Sequence, residues 1–131
     1  MAIRKVSHHL RIKSAESISL KKVMPGDIIQ FKYRNKEDDN YDKRPMVFVL
    51  NVIGKFITGV NISYIEEYKV QRLLEETNYK KLKYYHLYEE AFRSYIKTRI
   101  KMIKLVEYQT DRMKKDENMR KDLKNMTDET E

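Results

Sequence analysis

The residues best suited to chemistry in this sequence are cations spaced at helical intervals. Four of them follow one another at steps of four, four and three positions: Arg93, Lys97, Lys101 and Lys104. On a helix this spacing would align the four side chains along one side, and no acidic residue interrupts residues 91–106. Aligned cations neutralise a nucleic-acid backbone and release its counterions. The spacing therefore predicts a nucleic-acid interface, while an acidic protein surface or solvent remains an alternative partner.

Further basic residues extend the same prediction. The chain has 28 Lys and Arg against 20 Asp and Glu, a formal net charge of +8, and a basic balance of this kind favours contact with a polyanion. The additional candidates for nucleic-acid binding are Arg99 beside the four cations and, near the N-terminus, Arg4, Lys5, Arg11 and Lys13.

Other kinds of chemistry find little support in the residue types present. The chain has no cysteine, which removes disulfides, thiolate catalysis and cysteine zinc sites. With three glycines, a phosphate cradle built from backbone amides is not expected. No Ser-His-Asp grouping or HExxH spacing occurs. We therefore expect no metal, no cofactor and no enzymatic activity, and the absence of an apolar run of about 18 residues predicts no membrane span.

The chain divides into four segments of different composition, and their predicted structures determine where the basic residues lie. Residues 1–23 are basic and poor in large apolar groups, which predicts an extended N-terminal arm that needs a partner to become ordered. Residues 24–65 favour strands, residues 66–106 favour helices, and residues 107–131 form a charged tail that ends in acidic residues. For the tail we expect either a mobile segment or a helix docked on a partner.

The strand-rich stretch begins at the turn formed by Pro25, Gly26 and Asp27. The segment IIQFKY at residues 28–33 alternates apolar and polar side chains, and MVFVL at residues 46–50 is a short apolar run. Gly54 and Lys55 suit a hairpin tip. This order of short strands predicts a small antiparallel barrel or a strongly bent sheet.

The helical prediction rests on apolar spacing. From about residue 82 to residue 103, apolar side chains recur at steps of four, four, four and three: Tyr88, Phe92, Ile96, Ile100 and Ile103. Such a row is typical of one face of an amphipathic helix, and no Gly or Pro follows Gly59. The predicted fold class is thus α+β, with the barrel at residues 24–65 followed by two helices.

The start of the strand region resembles the MazF-type ribonuclease toxins, which implies a small, bent antiparallel β-barrel of the Src-homology-3 kind. The shared layout is GDI, a strand, a polar loop, then Arg44 and Pro45 before an apolar strand. In that family an arginine immediately before the proline contributes to catalysis, which implies this role for Arg44. A hydroxyl from the following strand assists there, and the candidates here are Thr58 and Ser63.

A second resemblance, to small proteins of large tailed bacteriophages, covers approximately residues 24–108. The matching segments are MPGD at residues 24–27, YDKRP at 41–45, GVNISY at 59–64, RLL at 72–74, and RSY and RIK at 93–95 and 99–101. This resemblance implies a virion-associated or DNA-end-associated role. Where those proteins commonly carry HYLPP, this chain has SYIEE at residues 63–67. The motif residues with a structural or functional role are Tyr41, Asp42, Arg44, Pro45, Gly59 and Asn61.

Together these observations predict a non-enzymatic bacteriophage virion protein that contacts DNA, neighbouring subunits or both through a basic helix face. The expected partners are phage structural proteins and double-stranded DNA within an oligomeric assembly, with no membrane. The expected location is the virion or the host cytoplasm. Two alternatives stay open: a purely structural adaptor of the phage neck, tail or baseplate, and a MazF-like ribonuclease.

Overall fold

The computed structural model describes residue 8 and residues 11–34, 43–75 and 91–129. Within these ranges the strands are β1 (Ile12–Ser17), β2 (Ile28–Tyr33), β3 (Met46–Ile53), β4 (Phe56–Asn61), β5 (Phe92–Ile96) and β6 (Ile100–Tyr108). The helices are α1 (Glu67–Glu75) and α2 (Asp111–Glu129), and short 3-10 helices span Leu20–Lys22, Ile62–Tyr64 and Lys97–Arg99. Neither α-helix is long and apolar enough, over its described residues, to cross a membrane.

The six strands form one antiparallel sheet in the order β1-β6-β2-β3-β4-β5. The α+β class predicted from the sequence is confirmed. A closed barrel is not formed, because β1 and β5 lie at opposite ends of the strand order and do not pair with each other. The sheet is therefore open, with β6 inserted between β1 and β2.

The sheet is strongly bent, as the aromatic contacts on its inner face demonstrate. The Tyr95 ring on β5 lies 5.1 Å from the Phe31 ring and 5.0 Å from the Tyr33 ring, both on β2. In a flat sheet β2 and β5 would be about 14 Å apart, since three strand spacings separate them. The Ile96 backbone amide also donates to the Tyr33 hydroxyl at 3.1 Å. Bending thus brings β5 and β2 together around an aromatic centre.

Alternation along the strands divides the core between the two faces of this sheet. The inner face carries Phe31 and Tyr95 in one buried cluster, which also contains Ile29, Val47, Val49 and Ile57. The outer face carries Ile28, Phe48, Val60 and Val106, and α1 covers them with Val70 and Leu73. The first half of β3 buries side chains on both faces and is therefore a continuous apolar run, whereas β2 buries its inner face and only Ile28 on its outer face.

The long helix predicted at residues 82–103 is wrong for the part that the structure describes, residues 91–103. That part forms β5, a 3-10 turn and the start of β6. Ile100 and Ile103 both lie on the inner face, three positions apart, because β6 contains an extra residue where its register with β2 shifts. The turn and the bulge together reproduce a helical spacing. The remainder of that prediction, residues 82–90, lies outside the described residues.

The described part of the predicted arm, residue 8 and residues 11–23, is ordered by contacts with its own chain. Residues 12–17 form β1, an edge strand paired with β6. Before it, His8 is buried, and its Nε2 hydrogen-bonds the Ile65 carbonyl at 3.0 Å while its Nδ1 lies 2.8 Å from the Tyr108 hydroxyl. Since a carbonyl only accepts, Nε2 carries a hydrogen. For the described part of the arm, the partner that orders it is therefore the sheet of its own chain.

The predicted tail also contains regular structure. Tyr108 ends β6, and α2 occupies most of the remainder. Thr110 starts this helix: its Oγ1 accepts a hydrogen bond from the Met113 amide at 3.2 Å and donates to the Gln71 side chain on α1. The tail was expected to be either mobile or helical, and it contains a helix. The hydrogen bond between Thr110 and Gln71 joins the start of this helix to α1.

Candidate nucleic-acid interface

The outer face of β2 changes character along the strand. Its outward side chains are buried Ile28, half-buried Gln30 and exposed Lys32. Gln30 lies opposite Lys104 of β6 in the strand register, and Lys32 lies opposite Lys101. Residues directly opposite each other in an antiparallel pair project to the same face. The register therefore brings the cations of β6 onto the outer face beside those of β2.

Arg44 joins the same face from the other side of β2. Met46 lies opposite Gln30, and the ladder continues beyond it through hydrogen bonds from the Phe31 amide to the Pro45 carbonyl and from the Tyr33 amide to the Lys43 carbonyl. This continuation puts Arg44 beside Lys32. Arg44, Lys32 and Lys101 thus form a row across three neighbouring strands. Together with Lys104 in the next row they are named the cationic patch.

The charges of the cationic patch are not balanced within the described part of the chain. All four side chains are exposed, and none forms an ion pair with a described residue. Cβ atoms of directly opposite residues are about 5 Å apart, and like charges in that position destabilise a sheet. A bound anion would relieve this repulsion. The arrangement is therefore suited to a ligand with several negative charges.

A shallow depression of about 100 Å³ lies within the patch. Its lining combines cations with polar and apolar groups: Gln30, Phe31, Lys32, Arg44, Met102 and Lys104. Met102 is the extra residue of the β6 bulge, with a positive φ of 54° and a side chain that is 72% exposed. The bulge turns this apolar side chain into the open, between the cations.

The four cations with helical spacing do not share one face. Lys101 and Lys104 belong to the cationic patch, whereas Arg93 lies on edge strand β5, where its guanidinium donates to the Phe92 carbonyl at 2.8 Å. Lys97 and Arg99 lie in the 3-10 turn between β5 and β6. The basic helix face is therefore wrong, because the residues that would carry it belong to two strands and a turn.

The N-terminal candidates have carboxylate partners within the chain where the structure describes them. Arg11 pairs with Glu67 of α1 at 3.1 Å, and Lys13 lies 3.7 Å from both Glu107 and Glu117. These ion pairs join the start of β1 and the residue before it to α1, β6 and α2. Arg4 and Lys5 lie outside the described residues.

Three of the motif residues have structural roles. Pro45 is buried at the entry to β3. Gly59 lies so close to β3 that a Cβ atom would come within 2.2 Å of the Phe48 carbonyl oxygen. Asn61 caps the 3-10 helix after β4 by accepting a hydrogen bond from the Ser63 amide at 3.1 Å. Tyr41 and Asp42 lie outside the described residues.

The hydroxyls that a MazF-like reaction would use, those of Thr58 and Ser63, do not line the depression that contains Arg44. Thr58 lies opposite Asn51 and hydrogen-bonds Ser94 at 3.0 Å. Asn51 is seven residues from Arg44 along β3, a distance of about 23 Å. Ser63 is buried. Among the residues that the structure describes, the lining of the depression includes neither a hydroxyl nor a carboxylate.

Reasoning from the sequence missed Gln30, Lys32 and Met102. Alternation in residues 28–33 was a usable signal for the first two, because it puts both on one face of β2. Their proximity to Lys101 and Lys104 depends on the pairing of strands that are about 70 residues apart, for which no local signal exists. Among the described residues, no three His, Asp or Glu side chains come together as a metal site would require.

No protein-family model matches the chain, and searches of curated proteins and of solved structures find no match.

Proposed function

We propose that this protein is a non-enzymatic nucleic-acid-binding protein whose cationic patch contacts the phosphate backbone. The observation that carries the proposal is the row of Arg44, Lys32 and Lys101 across three strands, with Lys104 beside it. A fold gains no stability from adjacent like charges. Adjacent cations reduce the stability of the fold, and a bound anionic ligand that neutralises them would explain why they lie together.

A nucleic acid fits this patch better than an isolated carboxylate does. Its phosphates recur along a polymer, so that one ligand neutralises several cations and releases several counterions. Arg44 supplies a planar guanidinium that pairs with phosphate in a bidentate manner, and the lysines act as point charges. Gln30 adds a side-chain amide that can both donate and accept hydrogen bonds.

The proposal also includes a Src-homology-3-like strand arrangement and a bacteriophage virion as the place where the protein acts. The strand order β6-β2-β3-β4-β5, with a 3-10 turn between β5 and β6, supports a Src-homology-3-like arrangement extended by β1. The bacteriophage virion as the setting rests on the sequence motifs at residues 41–45 and 59–64. Double-stranded DNA and phage structural proteins remain the partners that this setting implies.

A structural adaptor is the second candidate, and the β3–β4 hairpin supports it. Ile53 and Phe56 lie opposite each other beside its tip and are 65% and 46% exposed. Adjacent exposed apolar side chains suit a contact with another protein subunit. This contact would use the hairpin rather than the cationic patch, so the two candidates make different predictions for the same variants.

The ribonuclease alternative is less well supported. Arg44 belongs to the depression, but the described residues of its lining include no histidine and no carboxylate, the groups that most often take a proton from a substrate hydroxyl. Incubation of the purified protein with single-stranded RNA should leave the RNA intact. Cleavage that Arg44→Ala abolishes would overturn the non-enzymatic proposal.

The binding test compares two variants with the same change in charge. The first replaces Lys32, Arg44, Lys101 and Lys104 by Gln. The control replaces an equal number of exposed cations elsewhere, namely Lys21, Lys22, Arg72 and Lys115. Affinities for duplex DNA, single-stranded DNA and RNA are measured at low and at physiological salt.

The patch variant should lose most of the salt-dependent binding, because each phosphate contact adds about 0.9 to the slope of log affinity against log salt. The control should keep that slope almost unchanged. Equal weakening of both variants would mean that only net charge matters, and the cationic patch would not be the site. Negligible binding by the unaltered protein would favour the structural adaptor.

A further inference from the structure

Met102 is unusual both in its backbone and in its surroundings. It is the one residue other than glycine with a positive φ in the described part of the chain. A bulge residue with this conformation is commonly glycine, because a Cβ atom in the left-handed region approaches the following carbonyl oxygen. The chain therefore carries a methionine at a position where folding favours glycine.

The Met102 side chain contributes little to the core. It is 72% exposed, while its neighbour Ile103 is 8% exposed and belongs to the inner cluster. Its position in the lining of the depression puts an apolar, polarisable group next to Lys32, Arg44 and Lys104. Phosphate contacts alone would not require such a group. Backbone strain that packing does not explain is characteristic of residues that contact a ligand.

We infer that Met102 is a base-contacting residue of the cationic patch. The inference rests on the proposed function: the cations hold phosphates, and Met102 packs against the face of a base attached to them. Such a face is accessible in a single strand, whereas in a duplex it becomes accessible only when neighbouring bases are unstacked. Met102 would thus let the patch favour single-stranded nucleic acid over other polyanions of equal charge.

The decisive variant is Met102→Gly, because glycine adopts the observed φ without steric cost. The folded protein should unfold at the same or a higher temperature, so that loss of binding cannot be ascribed to loss of structure. Met102→Asn provides a second variant, since Asn also tolerates the left-handed region but offers a polar side chain. The probes are a single-stranded oligothymidylate, a duplex of the same length, and inorganic polyphosphate of similar total charge.

Met102→Gly should weaken oligothymidylate binding about fivefold, the effect expected when a methionine loses part of its apolar contact area. Polyphosphate binding should change less than about twofold, and the salt slope should stay the same, because the phosphate contacts are intact. Met102→Asn should resemble Met102→Gly. The four-cation variant should lose both ligands.

Four other outcomes would contradict the role of Met102 or the proposed function. Unchanged oligothymidylate binding by Met102→Gly would remove Met102 as a base contact while leaving the cationic patch as the nucleic-acid site. Equal weakening for oligothymidylate and polyphosphate would show that Met102 only shapes the bulge. Equal weakening for duplex and single strand would contradict the preference for accessible bases. If the unaltered protein binds none of the probes, the proposed function itself fails.

Discussion

Two halves of the outer face, built from the same strands, have opposite character. In one half, Ile28, Phe48 and Val106 lie under α1 and are almost completely buried. In the other half, the row that follows Met46, Gln30 and Lys104 on the same face consists of Arg44, Lys32 and Lys101, and all three are exposed. The register between β2 and β6 shifts in the charged half, and the outward side chains make one half a packing surface and the other a charged surface. Packing and exposed charge are thus separated along single strands.

The largest expected effect comes from breaking the packed half. Phe48→Ala removes a buried aromatic ring between β2 and β4 and should destabilise the fold by about 3–5 kcal/mol, the usual result of such truncations. Urea unfolding measures the loss. Arg44→Ala, four residues earlier in the chain, is the matched comparison and should leave stability nearly unchanged. Comparable losses for the two variants would contradict the division of the face.

A smaller effect of opposite sign is expected in the charged half. Lys32→Glu converts repulsion with Arg44 and Lys101 into attraction and should stabilise the fold by about 0.2–1 kcal/mol, as for other cross-strand pairs. Nucleic-acid binding should fall in the same variant. The gain in stability should shrink as salt increases, since exposed charges are screened. A loss of stability in urea unfolding at low salt would show that the cations are not mutually repulsive.

The smallest expected effect on stability comes from Glu117, which pairs with the cations Lys13 and Lys121. A hydrogen bond from the Gln109 side chain, and then the charges of Lys13 and Lys121, lower the pKa of the exposed Glu117 carboxyl. A lowered pKa in the folded state stabilises the fold above the ordinary pKa of glutamate, and this contribution is lost as the pH falls through the lowered value. Glu117→Gln should therefore lower Tm by at most a few degrees at neutral pH.

Thermal unfolding over a range of acidic pH checks this expectation. The difference in Tm between Glu117→Gln and the unaltered protein should vanish once the carboxyl is protonated. Asp122→Asn is the control, because Asp122 lies on the same helix and forms no ion pair with a described residue. A difference that persists at low pH would assign the effect of Glu117→Gln to something other than charge.

Sequence patterns predicted the central strands well. The alternating segment at residues 28–33 and the apolar run at residues 46–50 are β2 and most of β3, and Gly54 and Lys55 form the tip between β3 and β4. These elements are defined by local signals: alternation, β-branched residues and turn formers. They required no knowledge of what lies beside them.

The prediction failed where an irregular strand imitated a helix. A 3-10 turn separates Ile96 from Ile100, and the extra residue Met102 separates Ile100 from Ile103. Both features shift the alternation so that apolar residues recur at steps of four and three. The site was predicted in part for a related reason. Lys101 and Lys104 were predicted as nucleic-acid-binding residues and Arg44 as a motif or catalytic residue, but their proximity to Lys32 depends on long-range register.

The position of β6 has a consequence for synthesis of the chain. This strand lies between β1 and β2, and it is the last of the described strands to leave the ribosome. Until then the β2–β3–β4 meander presents the unpaired edge of β2, a surface prone to association with other strands. Pairing Ile12 with Tyr108 also joins residues almost a hundred positions apart, which slows folding. The nascent protein is therefore most vulnerable to aggregation just before its sheet is completed.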